Sequence, residues 1–487
     1  MELELALHAD DAGKLPHLPV IEAARDGRAR SIATRTIWHD SPDRALAGDG
    51  LSLAEHRGRW RLERLRPEAD QVWPPGTPPP SLGEADQPNG LPADLPTSLA
   101  PVAAFEGRLT TIPLLIDGDG LTLRLLRGVV RTVTAEHPIV RLHLDGPDLA
   151  VRDLALALAE VTHAQVPHAS LAAEALATAA GTLPEPRRIG APLLGPVARA
   201  SVGGAFRHVI GHLTDVILHE APLATQHPEA LEHVHQMRVA VRRARSAIAV
   251  FRDALDGATL AAANAQLRAL GQRLAPAREW DVFTAEIAPV ILAALPHDVR
   301  LAQLVNAAQR QRREAHAALR AWFGGVEFRR MGIALAWLAA AESWMRPPEP
   351  QAPAPGLEDF ATSALRRRWR KLTAAGKSIA GLDAPAMHGL RLRAKRMRYA
   401  AEIFMTLFPG KPTDRFIRRL STLQGRLGEL NDVATTEQLL RALGGAGSRH
   451  GYATGLVIGF AAAAANGLRP RILHAWDRFA RLDPFWI

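Results

Sequence analysis

The sequence predicts an α+β protein, with a strand-rich N-terminal module followed by an all-α C-terminal module. Three observations predict it. Apolar and polar residues alternate with a period of two through much of the first 145 residues. Beyond residue 198 that signal fades into long Ala/Leu/Arg segments with helical spacing. The charge changes sign between the two regions: residues 1–200 hold 20 Lys+Arg against 26 Asp+Glu, and residues 201–487 hold 39 against 24. A length of 487 residues suits two or more domains, at roughly 100–200 residues each. Cysteine is absent, which excludes disulfides, thiolate metal sites, Fe–S clusters and cysteine nucleophiles, and fits a reducing cytosol.

Taken in order, residues 1–66 carry short alternating segments such as Glu2-Leu3-Glu4-Leu5 and Trp60-Arg61-Leu62-Glu63-Arg64-Leu65. Residues 67–101 are rich in Pro, Gly and Asp and read as a loop or linker. Strands resume near 109–116, 121–126 and 139–144, with Asp-Gly pairs at hairpin turns. Helices follow over 151–164 and 170–180. The Pro/Gly-rich stretch 181–197 reads as a linker between a domain at 1–180 and one at 198–487. A second Pro-rich stretch, 347–356, divides the helical region into halves at about 198–346 and 357–487. The N-terminus lacks the basic flank and apolar core of a secretory leader. The apolar run 452–466 is interrupted by Gly455 and Gly459 and is too short to cross a bilayer. A cytoplasmic protein with no membrane partner is expected.

An internal repeat carries the functional argument. At an offset of 153, His235, Arg238, Arg242, Arg243 and Arg245 reappear as His388, Arg391, Lys395, Arg396 and Arg398. The same offset relates Phe251 to Phe404, Leu267 to Leu420, Leu270 to Leu423 and Glu279 to Asp432. At an offset of 158, Arg313, His316 and Arg320 reappear as Arg471, His474 and Arg478. This pattern predicts a tandem duplication of one helical unit.

At about 100° per residue, His235, Arg238, Arg242 and Arg245 fall within an arc of about 80°. Met237, Val241, Ala244, Ile248 and Phe251 form a separate apolar stripe. The second copy places His388, Arg391, Lys395 and Arg398 in the same way. Cations stacked at i, i+3/4 and i+7 repel one another by a few tenths of a kcal/mol per pair. Repeating that cost in both copies points to an anionic partner, whereas a single such stripe is equally compatible with a solvated or salt-bridged face. The histidines also fit hydrogen bonding at helix starts, and no second ligand repeats at metal spacing. Glu279, Asp281 and Asp432 read as partners of the arginines.

These residues resemble the CHAD domain, the histidine α-helical domain. The resemblance rests on 235–251, 274–282, 389–404 and the terminal 476–486, and spans roughly 198–487. It departs at Glu279, where the family more often has Asp after the Arg. It implies two pseudo-symmetric four-helix bundles around a basic cavity that binds inorganic polyphosphate, and association with polyphosphate granules. The implied binding residues are His235, Arg238, Arg242, Arg245, Arg313, His316, Arg320, His388, Arg391, Lys395, Arg398, Arg471 and Arg478.

The N-terminal half resembles the CYTH or triphosphate-tunnel domain, on Glu2–Leu5, 38–46, 50–53 and Arg127-Gly128. That resemblance implies an antiparallel β-barrel in which glutamates hold divalent metal and Lys/Arg hold phosphates. The chain departs from the pattern at several points. Ala6 stands where the Glu-x-Glu-x-Lys lysine belongs, Ala54 and His56 replace basic residues, and Arg141 and His143 replace a Glu-x-Glu pair. Glu2 and Glu4 remain as a two-carboxylate remnant. The expectation is a degenerate, non-catalytic tunnel domain with no cofactor and no metal.

The leading reading is therefore a polyphosphate-binding protein. The alternative is a metal-dependent inorganic triphosphatase or polyphosphatase using Mg²⁺ or Mn²⁺ in the N-terminal domain. Nucleic-acid binding is disfavoured because aromatics are 5% of the chain and do not interleave with the basic stripes, so base stacking is poorly served. A purely structural scaffold leaves the repeated stripes unexplained.

Overall fold

The computed structural model describes residues 1–68, 71–91, 95–255, 257–344, 356–444 and 449–487, apart from the side chains of 431–434 and 464. Asp432 and most of the 347–356 divider lie outside the described residues. Eight strands, β1 (Glu2–Ala6), β2 (Arg30–Asp40), β3 (Leu51–His56), β4 (Arg59–Arg64), β5 (Ser81–Ala85), β6 (Ala100–Ile116), β7 (Asp119–Arg131) and β8 (Glu136–Asp145), form one sheet. Its order is β1-β8-β7-β6-β2-β3-β4-β5, with every neighbouring pair antiparallel. The sheet curls into a half-barrel with β1 and β5 at its edges. β5 lies inside the stretch whose composition reads as a loop. It is a five-residue edge strand paired only to β4, a position that tolerates the surrounding prolines.

Four helices accompany the sheet: α1 (Pro19–Ala24), α2 (Ala45–Gly48), α3 (Asp148–Val161) and α4 (Leu171–Ala180). Alternation along the strands gives the sheet two apolar faces. Leu3, Leu5, Leu123, Leu142 and Leu144 are buried on one face, in the core that includes Leu154 and Leu158 of α3. Trp38, Phe105, Val130 and Ile139 are buried on the other, against Ala172, Ala175 and Leu176 of α4. Ser170 caps the start of α4 by accepting from the Ala173 amide, and Gly181 ends it in the left-handed conformation at φ 65°. Gly107 and Gly128 face each other across β6 and β7 beneath the Phe105 ring. A Cβ on Gly128 would stand 2.7 Å from the Phe105 ring and 2.2 Å from the Glu106 carbonyl, which only glycine avoids.

The helical module comprises α5 (Val202–Gln226), α6 (Leu231–Phe251), α7 (Gly257–Val282), α8 (Ala288–Ala294), α9 (Val299–Phe323), α10 (Val326–Ala340), α11 (Leu357–Gly376), α12 (Ala384–Phe404), α13 (Lys411–Arg441), α14 (Gly451–Ala465) and α15 (Leu468–Ala480). α6 and α12 are each 21 residues long, and their bounds differ by the sequence offset of 153 at both ends. Their apolar stripes meet in an aromatic hub. Phe251 lies 5.5 Å from Phe206 of α5, 5.3 Å from Phe360 of α11 and 5.8 Å from Phe404 of α12, ring centre to ring centre. Anchoring both helices by this stripe turns the basic stripes away from the core. The segment Gly451–Ala480 is long and apolar enough by composition to span a bilayer. It is nonetheless two helices, α14 and α15, broken at Asn466 and at Gly467, whose φ is 83°.

The two modules are packed together. Trp337 of α10 donates to the Asp148 carbonyl at 2.9 Å, Arg329 donates to the Ala159 carbonyl at 3.1 Å, and Arg152 stacks over the Trp337 ring. Within the 181–197 stretch, Arg187 and Arg188 are buried. The stretch that reads as a linker is fixed there by hydrogen bonds from Arg187 to Asp215 and the Trp73 carbonyl.

Two buried histidines of α5 lie along this junction. Burial pushes His212 down to about 3, with Arg188 adding to the effect, and burial with His168 pushes His219 down to about 4. Both stay neutral in the folded protein while the unfolded chain takes up protons below about pH 6.5. Their stabilisation is therefore complete above pH 6.5 and is lost progressively as pH falls toward these folded values. His212 alone is expected to cost about 2 kcal/mol at pH 5. Thermal melts at pH 7.5 and 5 are expected to show this loss, and His212→Asn to reduce it. An unchanged pH slope in the variant would refute the assignment.

Candidate functional site

Arg242 and Arg245 of the first basic stripe and Lys395 of the second meet, together with cations of a third helix, on one cleft. It is a cavity of about 620 Å³ between α6, α11 and α12. Arg242, Arg245 and Arg252 enter it from α6 and its C-cap, Arg367, Arg368 and Lys371 from α11, and Lys395 and Arg396 from α12. Asp253 is the one carboxylate in this lining, and it accepts from Arg367 at 3.1 Å. An adjoining hollow shares Arg368, Lys371 and Arg396 and adds Arg393.

Arg367 and Arg252 both face Asp253, whereas Arg368 and Arg245 are held by neutral partners. Arg368 donates to the Ala249 carbonyl of α6 at 2.9 Å and to the Ala364 carbonyl of its own helix at 3.1 Å. Arg245 donates to Asn264 Oδ1 of α7 at 3.2 Å. Arg242 keeps a buried Nε with no hydrogen-bond partner. Burial and the neighbouring Arg367 push the Arg368 guanidinium down to about 10, with Asp253 opposing. It remains charged at neutral pH. Burial is the largest cause of that lowering; the part contributed by Arg367 is like-charge repulsion, which an anion placed beside Arg368 would relieve.

Of the residues singled out from sequence, Arg242, Arg245 and Lys395 line the cleft. Arg238 and His235 stand further toward the start of α6. Burial lowers Arg238, with Arg242 adding and Glu279 opposing. Burial also lowers His235, followed by Arg278. On α12, His388 is exposed and Arg391 half-buried, two turns and one turn before Lys395, and neither is in the lining. Arg398 pairs with Glu402 at 3.4 Å, one turn along its own helix.

The second repeated triplet does not join them. His316 is buried, and its Nε2 lies 2.9 Å from Asp281 Oδ1, which also accepts from Arg312 at 2.7 Å. Asp281 is fully buried. His316 is thus committed to a core ion-pair cluster because its side of α9 packs on α7. Arg313 is exposed on α9, and Arg320 lines a separate cavity of about 350 Å³ beside Arg329 and His168. Arg471 and Arg478 are exposed on α15, where Arg478 lies within electrostatic reach of Arg419.

The sequence reading left Arg252 and the repeated Arg396 out of the binding set and missed the whole contribution of α11. The available signal was the dense run Arg366-Arg367-Arg368-Trp369-Arg370-Lys371. A search for repeated residues passes over it because it has no basic counterpart in α5.

In the N-terminal module the two glutamates that could have marked a metal site are each tied to arginine. Arg124 donates to Glu2 at 2.7 Å, and Arg141 lies 3.4 Å from Glu4 and 2.5 Å from Glu174 of α4. Arg141 is fully enclosed, and α4 covers this face of the sheet. Burial raises the Glu63 carboxyl above its ordinary range, Arg61 opposes, and Glu4 adds to the rise. Among the described residues no group of three or more His, Asp or Glu side chains is placed to hold a metal ion.

Fold and site together define a helical domain with an arginine-walled cleft, joined to an antiparallel half-barrel. The CHAD domain family model matches residues 208–441, and the chain therefore carries a CHAD domain. The structure is similar to the crystal structure of the CHAD domain from the plant Ricinus communis. That similarity has 26% identity and a TM-score of 0.50, and covers 61% of this chain and 98% of that one. It is also similar to PptA from Streptomyces chartreusis, at 18% identity and a TM-score of 0.44, over 56% of this chain and 99% of that one. No curated protein matches by sequence.

Proposed function

We propose that the chain binds inorganic polyphosphate in the cleft between α6, α11 and α12. The observation that carries this reading is the convergence of eight cationic side chains, opposed by the single paired carboxylate of Asp253, on one cavity. Polyphosphate presents closely and regularly spaced anionic oxygens. Arginine and lysine donors meet them through charge-assisted hydrogen bonds. Contacts along one polymer reinforce each other through effective concentration. The CHAD match over residues 208–441 supports a polyphosphate-related role. The only aromatic in the lining, Tyr399, is itself buried, which favours a phosphate polymer over a stacked nucleic acid. A cytoplasmic place at polyphosphate granules follows from this reading as a further proposal.

The test is a titration of the full-length protein with long-chain polyphosphate, with duplex DNA and ATP as competitors, at low and moderate salt. Polyphosphate is expected to win and its affinity to fall steeply with salt, as counterion release requires. Salt-indifferent binding, or preference for DNA, would refute the reading. Phosphate release is measured in the same samples with and without Mg²⁺ or Mn²⁺. The pairing of Glu2 with Arg124 and of Glu4 with Arg141 favours a non-catalytic N-terminal domain. Metal-dependent release abolished by changing those two glutamates would establish the triphosphatase alternative.

A further inference from the structure

The α6 and α12 helices correspond residue for residue at the offset of 153, so a cleft built on one side of the pair has a definable counterpart on the other. The open cleft uses Arg245, Ala249 and Asp253 from the α6 side and Arg396 from α12. The counterparts of these four are Arg398, Glu402 and Thr406 on the α12 side and Arg243 on α6. The structure brings these counterparts together as well, but around the chain itself. Arg243 donates to the Gly190 carbonyl at 3.0 Å and to Glu402 Oε2 at 3.2 Å. Thr406 Oγ1 donates to the Leu194 carbonyl at 3.0 Å. Glu402 also lies 3.4 Å from Arg398.

The segment that supplies those carbonyls is pinned from both modules. Arg187 donates to Asp215 Oδ1 of α5 at 2.9 Å and to the Trp73 carbonyl at 3.2 Å, and its guanidinium stacks 4.1 Å from the Trp73 ring centre. Arg188 donates to the carbonyls of Glu68 and Gln71. Leu194 is fully buried.

We propose that residues 187–194 are an internal plug that fills the counterpart cleft, so that each chain presents one polyanion cleft. The position where one copy has Ala249 and the other Glu402 decides which side stays open. The plug's carbonyls take the hydrogen-bond donors that an anion would otherwise use, and Glu402 neutralises the two arginines beside it. This inference rests on the polyphosphate reading for its ligand and adds the side on which that ligand is held.

The test applies one substitution at two corresponding positions, with inorganic tripolyphosphate as the probe because it is short enough to occupy a single cleft. Calorimetry of the full chain is expected to give one site per chain. Arg396→Gln is expected to weaken it about tenfold, and Arg243→Gln to leave it within twofold. Equal losses at both positions, or two sites in the unmodified protein, would overturn the plug while leaving the polyphosphate reading standing. Absence of any binding to tripolyphosphate or to long-chain polyphosphate would overturn both.

A second measurement needs no variant. Phenylglyoxal labelling of the unmodified protein, mapped by mass spectrometry, is expected to show Arg252 and Arg396 reactive alone and protected by tripolyphosphate. Arg243 is expected to be unreactive in both states. Reactive Arg243 that becomes protected only with the anion would overturn the plug.

Discussion

Reversing Arg242 and Lys395 to glutamate together is expected to lower polyphosphate affinity by about 10²–10⁴-fold with the helical fold intact. Both side chains line the cleft and neither belongs to the buried apolar stripe of its helix. A hydrogen bond to a charged group contributes about 1.5–3 kcal/mol, and each 1.4 kcal/mol is a factor of ten. Losing two such contacts gives the stated range, and the introduced repulsion adds to it. The salt dependence carries an independent signature. Each phosphate contact on a flexible polyanion contributes about 0.7 to the slope of log affinity against log salt. The double variant is therefore expected to have a slope shallower by about 1.4. The same reversal at Arg313 and Arg471, exposed and outside the cleft lining, is the comparison. If that pair proved as damaging, the cleft would not be the binding site. Loss of helical circular dichroism in the Arg242/Lys395 variant would mean that those two side chains support the fold.

Asp281→Ala is expected to destabilise the helical domain by about 3 kcal/mol without weakening polyphosphate binding at temperatures where the protein remains folded. Asp281 is fully buried and is shared by Arg312 and His316. Removing one partner of a buried ion pair costs about 3–5 kcal/mol because the remaining charge is left uncompensated. Arg312 keeps its bond to the Pro228 carbonyl and is partly exposed, which places the cost at the lower end. Urea denaturation followed by circular dichroism reads the change, and a loss below about 1 kcal/mol would show that the cluster is not a structural anchor. The pair of predictions separates two kinds of repeated residue. Arg242 and Lys395 recur on a face turned to the cleft, whereas His316 is committed to the core.

That separation also marks what was legible in the sequence. The strand-rich module, the helical module and the apolar stripe of α6 were readable because each rests on local periodicity or on the repeat. The burial of Met237, Val241, Ala244, Ile248 and Phe251 follows the predicted apolar stripe. His316 and His474 match in sequence, yet one is buried against Asp281 and the other is exposed on α15. Sequence matching registers that a residue recurs and carries no information on which neighbour faces it. Arg367, Arg368 and Lys371 were missed for the complementary reason, since the basic run of α11 has no basic counterpart on α5 and so leaves no mark in the repeat. The 181–197 segment reads as a linker by composition, and its anchors at Trp73, Asp215, Arg243 and Thr406 are all long-range.

The buried Arg141 couples three elements of the half-barrel through one charge. It lies between Glu4 and Glu174, with Glu63 close enough to feel the charge of Glu4. Substituting Arg141 with glutamate, the obvious first step toward a metal-binding strand, would set three carboxylates together beneath α4 with no cation to balance them. Folding would suffer before any metal could be gained. Building a metal site there would require coordinated changes at Arg141, Glu174 and the helix that covers them. The identities of β1, β8 and α4 are thereby tied to one another, and a change of charge at one of them calls for a matching change at the others.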